Sequence, residues 1–394
     1  MRLIFFWLVL KMVRGAEENK NESFPINFDF AGTIPTGDFI GDLVKIINNL
    51  FDETQKGRSP PKSANCKRRL IKFGENEFQL SVNPLGWCSY CCQFVQPTNK
   101  YIRLVYSNKD SGQLSKLDLI RKKGILFSAG FNSDYPSVMY IPGFGEYGLS
   151  PSSKQILEAY LSREEGYNIF TVDWGDLSTF PWYPQAKNNT QLVGYEIAQF
   201  LRFYNDIDEL PIAKLHVIGF SLGAQVAGYI GRYLKNYRKL PWITALDAAL
   251  PLFSESECLS KEDAVYVDAI HTDGGKFGFI RSLGHADFFP NGGSFVQPGC
   301  EVSGLAEEKI IDQLGYCGHL RSWKLYVESV RNPKAFPSTT FNIRSNRAVK
   351  FVTEAYMGFG INPNTTRGNF YLITNGKYPY SKGPREQEKE MRRG

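Results

Sequence analysis

The chain has 394 residues, of which 42% are hydrophobic and 22% charged, a globular composition that excludes a fibrous or wholly disordered protein. Its formal net charge of +6 is modest and spread evenly. That argues against a nucleic-acid partner and suits at most a mild attraction to anionic lipid surfaces.

The first residues read MRLIFFWLVLKMVRGAEEN. Arg2 precedes an apolar run from Leu3 to Leu10, and small residues follow at Gly15 and Ala16. This is the layout of a secretory signal peptide over residues 1–15, so the chain is expected to be secreted. The run is far shorter than the roughly 20 residues a spanning helix needs. Sequons at Asn21, Asn188 and Asn364 are candidate glycosylation sites and agree with export. So do seven cysteines, Cys66, Cys88, Cys91, Cys92, Cys258, Cys300 and Cys317, which in an exported chain form disulfides; the odd count leaves one over. A single Cys88-x-x-Cys91 pair reads as a staple rather than a zinc or redox motif.

Residues 16–100 form an N-terminal extension with clustered cysteines. Residues 41–51 carry apolar side chains at helical spacing, and a loop rich in Lys, Arg, Ser and Pro follows. No chemistry is assigned to this segment, which is expected to pack on the main domain through its disulfides.

From Tyr101 the pattern changes, and a main domain is expected over 101–382. SVMYIPGF from Ser137, NIFTVDW from Asn168, KLHVIGF from Lys214, WITALD from Trp242 and VYVDAIHT from Val265 read as short buried strands. SSKQILEAYLSRE, TQLVGYEIAQFLRFYND and AQVAGYIGRYLKNY between them read as helices. The alternation predicts an α/β fold, a mainly parallel central sheet with helices on both faces, whose function collects at the C-terminal strand ends. Residues 383–394 are charged and are expected to be a solvated tail.

Gly219-Phe220-Ser221-Leu222-Gly223 stands directly after a predicted strand and before a predicted helix. In that context G-x-S-x-G is a nucleophile turn: the chain reverses so sharply that only small residues fit two positions either side of the serine. The Leu222 amide would face a developing oxyanion at the helix start. A second donor is expected after an earlier strand, where Pro142-Gly143-Phe144 offers the Phe144 amide. Asp247 ends the next strand and is the favoured acid; Asp173, Asp268 and Asp273 are rivals. Of four histidines, His216 lies inside a strand, and His271 and His285 follow the fifth strand. His319, in a predicted loop before SWKLYVESV, is the favoured base ahead of His285.

HVIGFSLGAQVAG, ITALD, VDAIHTDGG, GHADFFPNGG, QPGC and CGHLRSWKLY together resemble the pancreatic-lipase family, over about 101–382. The resemblance implies an α/β-hydrolase fold and a secreted lipase that hydrolyses carboxylic esters of lipids. It implies a triad of Ser221, Asp247 and His319, and oxyanion donors at Phe144 and Leu222. It also implies a lid over 301–316 closed by a Cys300–Cys317 disulfide. Relatives often have His where Phe220 and Pro142 stand, and Pro where Ala248 stands. Glu255 and Asp263 match the family's calcium loop, but Ser260 replaces an aspartate and Cys258 an arginine, which puts calcium in doubt; no other cofactor or metal is expected. The chain stops soon after NFYLITNGKYPYSKG, so neither the C-terminal β-sandwich domain nor its colipase partner is expected. The expected partner is a lipid substrate at a membrane or droplet surface. Short loops around the site resemble phospholipases A1 more than triacylglycerol lipases, without deciding between phospholipid and acylglycerol. The rival reading is a silent lipid-binding or yolk-like storage protein.

Overall fold

Strand β5 (Ser137–Ile141) reads SVMYI and is buried at all five positions, as a strand covered on both faces must be. In this computed structural model, which describes residues 62–73, 76–301, 316–340 and 353–391, it lies in the interior of a nine-stranded sheet. Its parallel neighbours are β6 (Asn168–Asp173) and β7 (Leu215–Phe220). Beyond β7 follow β8 (Leu240–Leu246), β9 (Ala264–Ile270), β10 (Ala286–Pro290) and β13 (Gly368–Leu372), all parallel, while β11 (Pro337–Ser338) and β12 (Ala355–Tyr356) pair with each other outside this sheet. On the other side β3 (Arg103–Asn108) runs antiparallel to β6, and β4 (Ser115–Asp118) forms the edge. A mainly parallel sheet is what the alternating pattern predicts; the pattern did not single out β3, β4, β10 and β13, which flank the predicted five.

Side-chain parity divides the core between the two faces of the sheet. Met139, Ile141, Val217 and Ile243 pack with helices α2 (Tyr183–Asp206) and α3 (Leu222–Leu234). Val138, Tyr140, Ile218 and Phe220 pack with α1 (Pro151–Leu161) and α4 (Tyr316–Arg331). Helix α1 opens on Pro151, whose missing amide hydrogen and preset φ suit a first turn. Among the described residues no helix is long and apolar enough to cross a membrane.

Two expectations need correction. The described part of the extension does not reach the domain through disulfides: Cys66–Cys92 and Cys88–Cys91 both close within it. It docks instead by backbone pairing of a hairpin, β1 (Arg68–Phe73) and β2 (Asn76–Ser81). The Gln79 amide donates to Gly145 O at 2.7 Å, the Phe180 amide to Gln79 O at 2.7 Å, and the Ser81 amide to Phe180 O at 3.1 Å. The charged tail is not simply solvated either. Pro384–Met391 forms helix α5, and buried Gln387 pairs with both the amide and the carbonyl of Ile373, at 2.7 and 2.8 Å. An amide side chain satisfies both backbone groups beyond the end of β13, which a charge count along the tail cannot reveal. The signal-peptide reading, Asn21, the helical pattern at 41–51 and nearly all of the lid lie outside the described residues.

Candidate active site

Strand β7 ends at Phe220 and α3 begins at Leu222, so the whole reversal falls on Ser221, at φ 54° and ψ −120°. A non-glycine residue there is strained and stays only if its surroundings over-determine it. They do. The Ser221 amide donates to Leu246 O at 3.0 Å, and its carbonyl accepts from Ala224 at 3.1 Å and Ala249 at 3.2 Å. The flanking glycines are needed for space. A Cβ at Gly219 would lie 2.4 Å from Ala224 Cα, and one at Gly223 would lie 2.0 Å from Ile141 O.

Asp247 follows β8 with φ 48° and is fully buried. Its Oδ1 accepts the amides of Thr272 at 2.9 Å and Asp273 at 3.1 Å. Its Oδ2 accepts from His319 Nδ1 at 2.6 Å. With the proton on Nδ1, Nε2 is left as the basic nitrogen. The His319 ring lies against Phe220, centroids 4.8 Å apart, and is flanked by Phe277 and Tyr316, each at 5.6 Å. The structure thus brings Ser221, Asp247 and His319 to the adjacent C-terminal ends of β7 and β8. Among the described residues Ser221 Oγ and His319 Nε2 have no hydrogen-bond partner, with each other or elsewhere.

His319 departs from expectation in one respect: it lies in the first turn of α4, not in a loop. The Cys300–Cys317 disulfide, S–S 2.05 Å, anchors that turn. Gly318 lets it sit against Phe295 O, where a Cβ would approach to 2.4 Å.

The other candidates have structural partners. His216 stacks on Trp242 and bonds Thr244 Oγ1 at 2.8 Å, and burial drops its pKa to about 3. His271 bridges Asp287 Oδ1 at 2.8 Å and Phe279 O at 2.7 Å. His285 Nδ1 accepts the Val267 amide at 3.0 Å. Asp268 takes Trp242 Nε1 at 2.6 Å and the Thr244 hydroxyl at 2.8 Å. Asp173 accepts the Gly175 amide at 3.4 Å. Asp273 is the one rival close to the pair: side-chain atoms of Asp247, Asp273 and His319 lie within 4.8 Å of one another. Burial, and then the Asp247 charge, push the Asp273 carboxyl well above the usual range.

The amides of Phe144 and Leu222 have no partner among the described residues; Leu222 is a first-turn donor that the helix itself cannot satisfy. Gly143 brings this loop against the serine: a Cβ there would meet Ser221 Cβ at 3.0 Å. The loop is held by a residue that the sequence reading passed over. Buried Glu146 accepts the Gly143 amide and the Ser152 hydroxyl, each at 2.8 Å. Burial raises its pKa while those two bonds pull it back. Trp174 Nε1 fixes the other end by donating to Pro142 O at 3.0 Å. A glutamate three residues past the strand-end glycine was the available signal.

A sequence model of the Lipase family matches residues 90–380. This chain belongs to the pancreatic-lipase family. Among curated relatives of this lipase-family chain, hepatic triacylglycerol lipase of Oryctolagus cuniculus is 39% identical over 53% of this chain and 44% of its own. Pancreatic triacylglycerol lipase of Cavia porcellus is 32% identical over 71% of this chain and 64% of its own. The inactive pancreatic lipase-related protein 1 of Homo sapiens is 33% identical over 60% and 54%. The chain thus spans about half the length of the curated relatives it matches.

Family membership raises the question of calcium at the loop 255–263, where the Arg232 guanidinium holds part of the oxygen set and Glu255 is exposed. The guanidinium bonds Asp263 Oδ1 at 3.1 Å and Oδ2 at 3.2 Å, Glu257 O at 2.8 Å, and Cys258 O. The Ser260 hydroxyl accepts the Glu262 amide at 3.3 Å. Cys258, a buried free thiol, contacts Arg281. A carboxylate and carbonyls are what calcium selects, but here a fixed positive charge holds them.

Proposed function

We propose that this chain is a secreted serine hydrolase of lipid carboxylic esters. The observation that carries the reading is the buried His319–Asp247 pair beside Ser221 at a strained strand-to-helix turn. His319 Nε2 takes the Ser221 proton as Oγ attacks the ester carbonyl. The Phe144 and Leu222 amides receive the oxyanion. Collapse expels the alcohol, which His319 protonates, and water activated by the same ring releases the acyl group from Ser221. Asp247 orients the ring and stabilises the imidazolium. In this reading calcium takes no part, supported by the placement of Arg232. Glycans are carried at Asn21, Asn188 and Asn364; the side chains of the latter two are exposed.

The substrates are phospholipids cleaved at the first acyl position or neutral acylglycerols, and the names of the triacylglycerol-lipase relatives support ester-lipid chemistry in general. A silent lipid-binding protein is the second reading, favoured by the unpaired Ser221 hydroxyl and by a relative named inactive. An organophosphate separates the two: stoichiometric labelling of Ser221, absent in Ser221→Ala, is the expected result. Failure to label under conditions that label an active lipase sinks the hydrolase reading. Turnover of phosphatidylcholine against trioleoyl glycerol then assigns the ester.

A further inference from the structure

The family match begins at residue 90, so the β1–β2 hairpin lies outside it. Yet β2 borders the oxyanion loop. The Gln79 amide bonds Gly145 O at 2.7 Å, and the Tyr147 hydroxyl donates to the Glu77 carboxylate. Gly145 has φ 75°, where a side chain is strained, and a Cβ there would make a tight contact of 3.2 Å with the Phe78 ring. Phe78 is half-buried, and its ring also meets Tyr316, centroids 5.8 Å apart. Tyr316 in turn flanks His319 at 5.6 Å and Phe277 at 5.8 Å. One aromatic ring therefore touches the loop that carries the Phe144 amide and the aromatic wall around His319.

We propose that Phe78 is a specificity-determining residue: the hairpin places its ring where the apolar chain of the ester must lie. The inference rests on the hydrolase reading. Phe78 packs against Gly145, next to the Phe144 amide, and against Tyr316, next to His319, so an acyl chain that runs from Ser221 along this side of the site lies on its ring. Long chains gain contact with the ring and short ones do not, so the ring sets chain-length preference without entering the chemistry.

The test compares kcat/KM for p-nitrophenyl dodecanoate and butyrate in the wild-type chain and in Phe78→Ala. The dodecanoate-to-butyrate ratio should fall by about tenfold, the scale of an apolar contact in a pocket, mostly through KM for the long ester. Phe78→Leu keeps part of the contact, should give a smaller fall in the same direction, and serves as the reading if Phe78→Ala does not fold. Butyrate turnover with a ratio unchanged within about twofold in the folded variants overturns the role of Phe78 alone. No turnover of either ester by the wild-type chain overturns the hydrolase reading and this inference with it.

Discussion

His319 Nδ1 lies 2.6 Å from Asp247 Oδ2, and the two side chains are 3% and 0% exposed. The carboxylate's other oxygen is held by two backbone amides, so it can turn only by breaking three hydrogen bonds. An imidazole oriented from behind in this way offers Nε2 along one direction.

Asp247→Asn keeps the shape of the acid but not its charge, and leaves the histidine without the acceptor that selects its tautomer. We expect kcat to fall by about 10³- to 10⁴-fold with the thermal midpoint nearly unchanged. A loss under tenfold, measured on a short-chain ester, would remove Asp247 from the mechanism.

Glu146 acts through the loop. Glu146→Ala strips the acceptor from the Gly143 amide and the Ser152 hydroxyl inside the protein. Leaving buried donors unpaired costs about 1–3 kcal/mol, and the loosened Phe144 amide should lower kcat by roughly tenfold while KM stays within a factor of two. Glu146→Gln retains an acceptor and should recover most of the rate. An Ala variant with wild-type kcat contradicts the assignment.

Asp268 is fully buried between β8 and β10, and burial pushes its pKa from 3.8 to about 7. An acid whose folded pKa is raised binds its proton more tightly when folded. Its stabilising contribution is therefore complete below the unfolded value near 3.8 and lost as pH rises through about 7. Chemical denaturation of the wild type between pH 4 and 8 should show that decline. Asp268→Asn, which keeps an oxygen for Trp242 and Thr244, should flatten it. An identical slope in the variant would mean that the group does not titrate there.

If Arg232 supplies the positive charge of the loop at 255–263, neither EDTA nor millimolar calcium should move the thermal midpoint of the wild type. Arg232→Met leaves the Asp263 carboxylate, 4% exposed, without its partner, and should cost about 3 kcal/mol. A calcium-dependent rise of several degrees in the wild type would show that the ion competes successfully with the guanidinium.

Local sequence determined the parts of this protein whose chemistry is local. The turn at Ser221 is legible because Gly219 and Gly223 must lack side chains where strand and helix meet, and five buried strands are legible because both of their faces are apolar. Asp247 could be placed because strand ends converge on one edge of a parallel sheet. Tertiary structure decided the rest. Four histidines are equivalent as letters; three are spent on Thr244, Asp287 and the Val267 amide, and only His319 meets Asp247, across 72 positions of chain. Glu146, Phe78 and Gln387 gave no periodic signal, since each acts on a partner brought near by folding, and Arg232 reaches a loop 25 to 31 residues away. Periodicity reports which face of an element is buried; it carries no information about which distant groups share that burial.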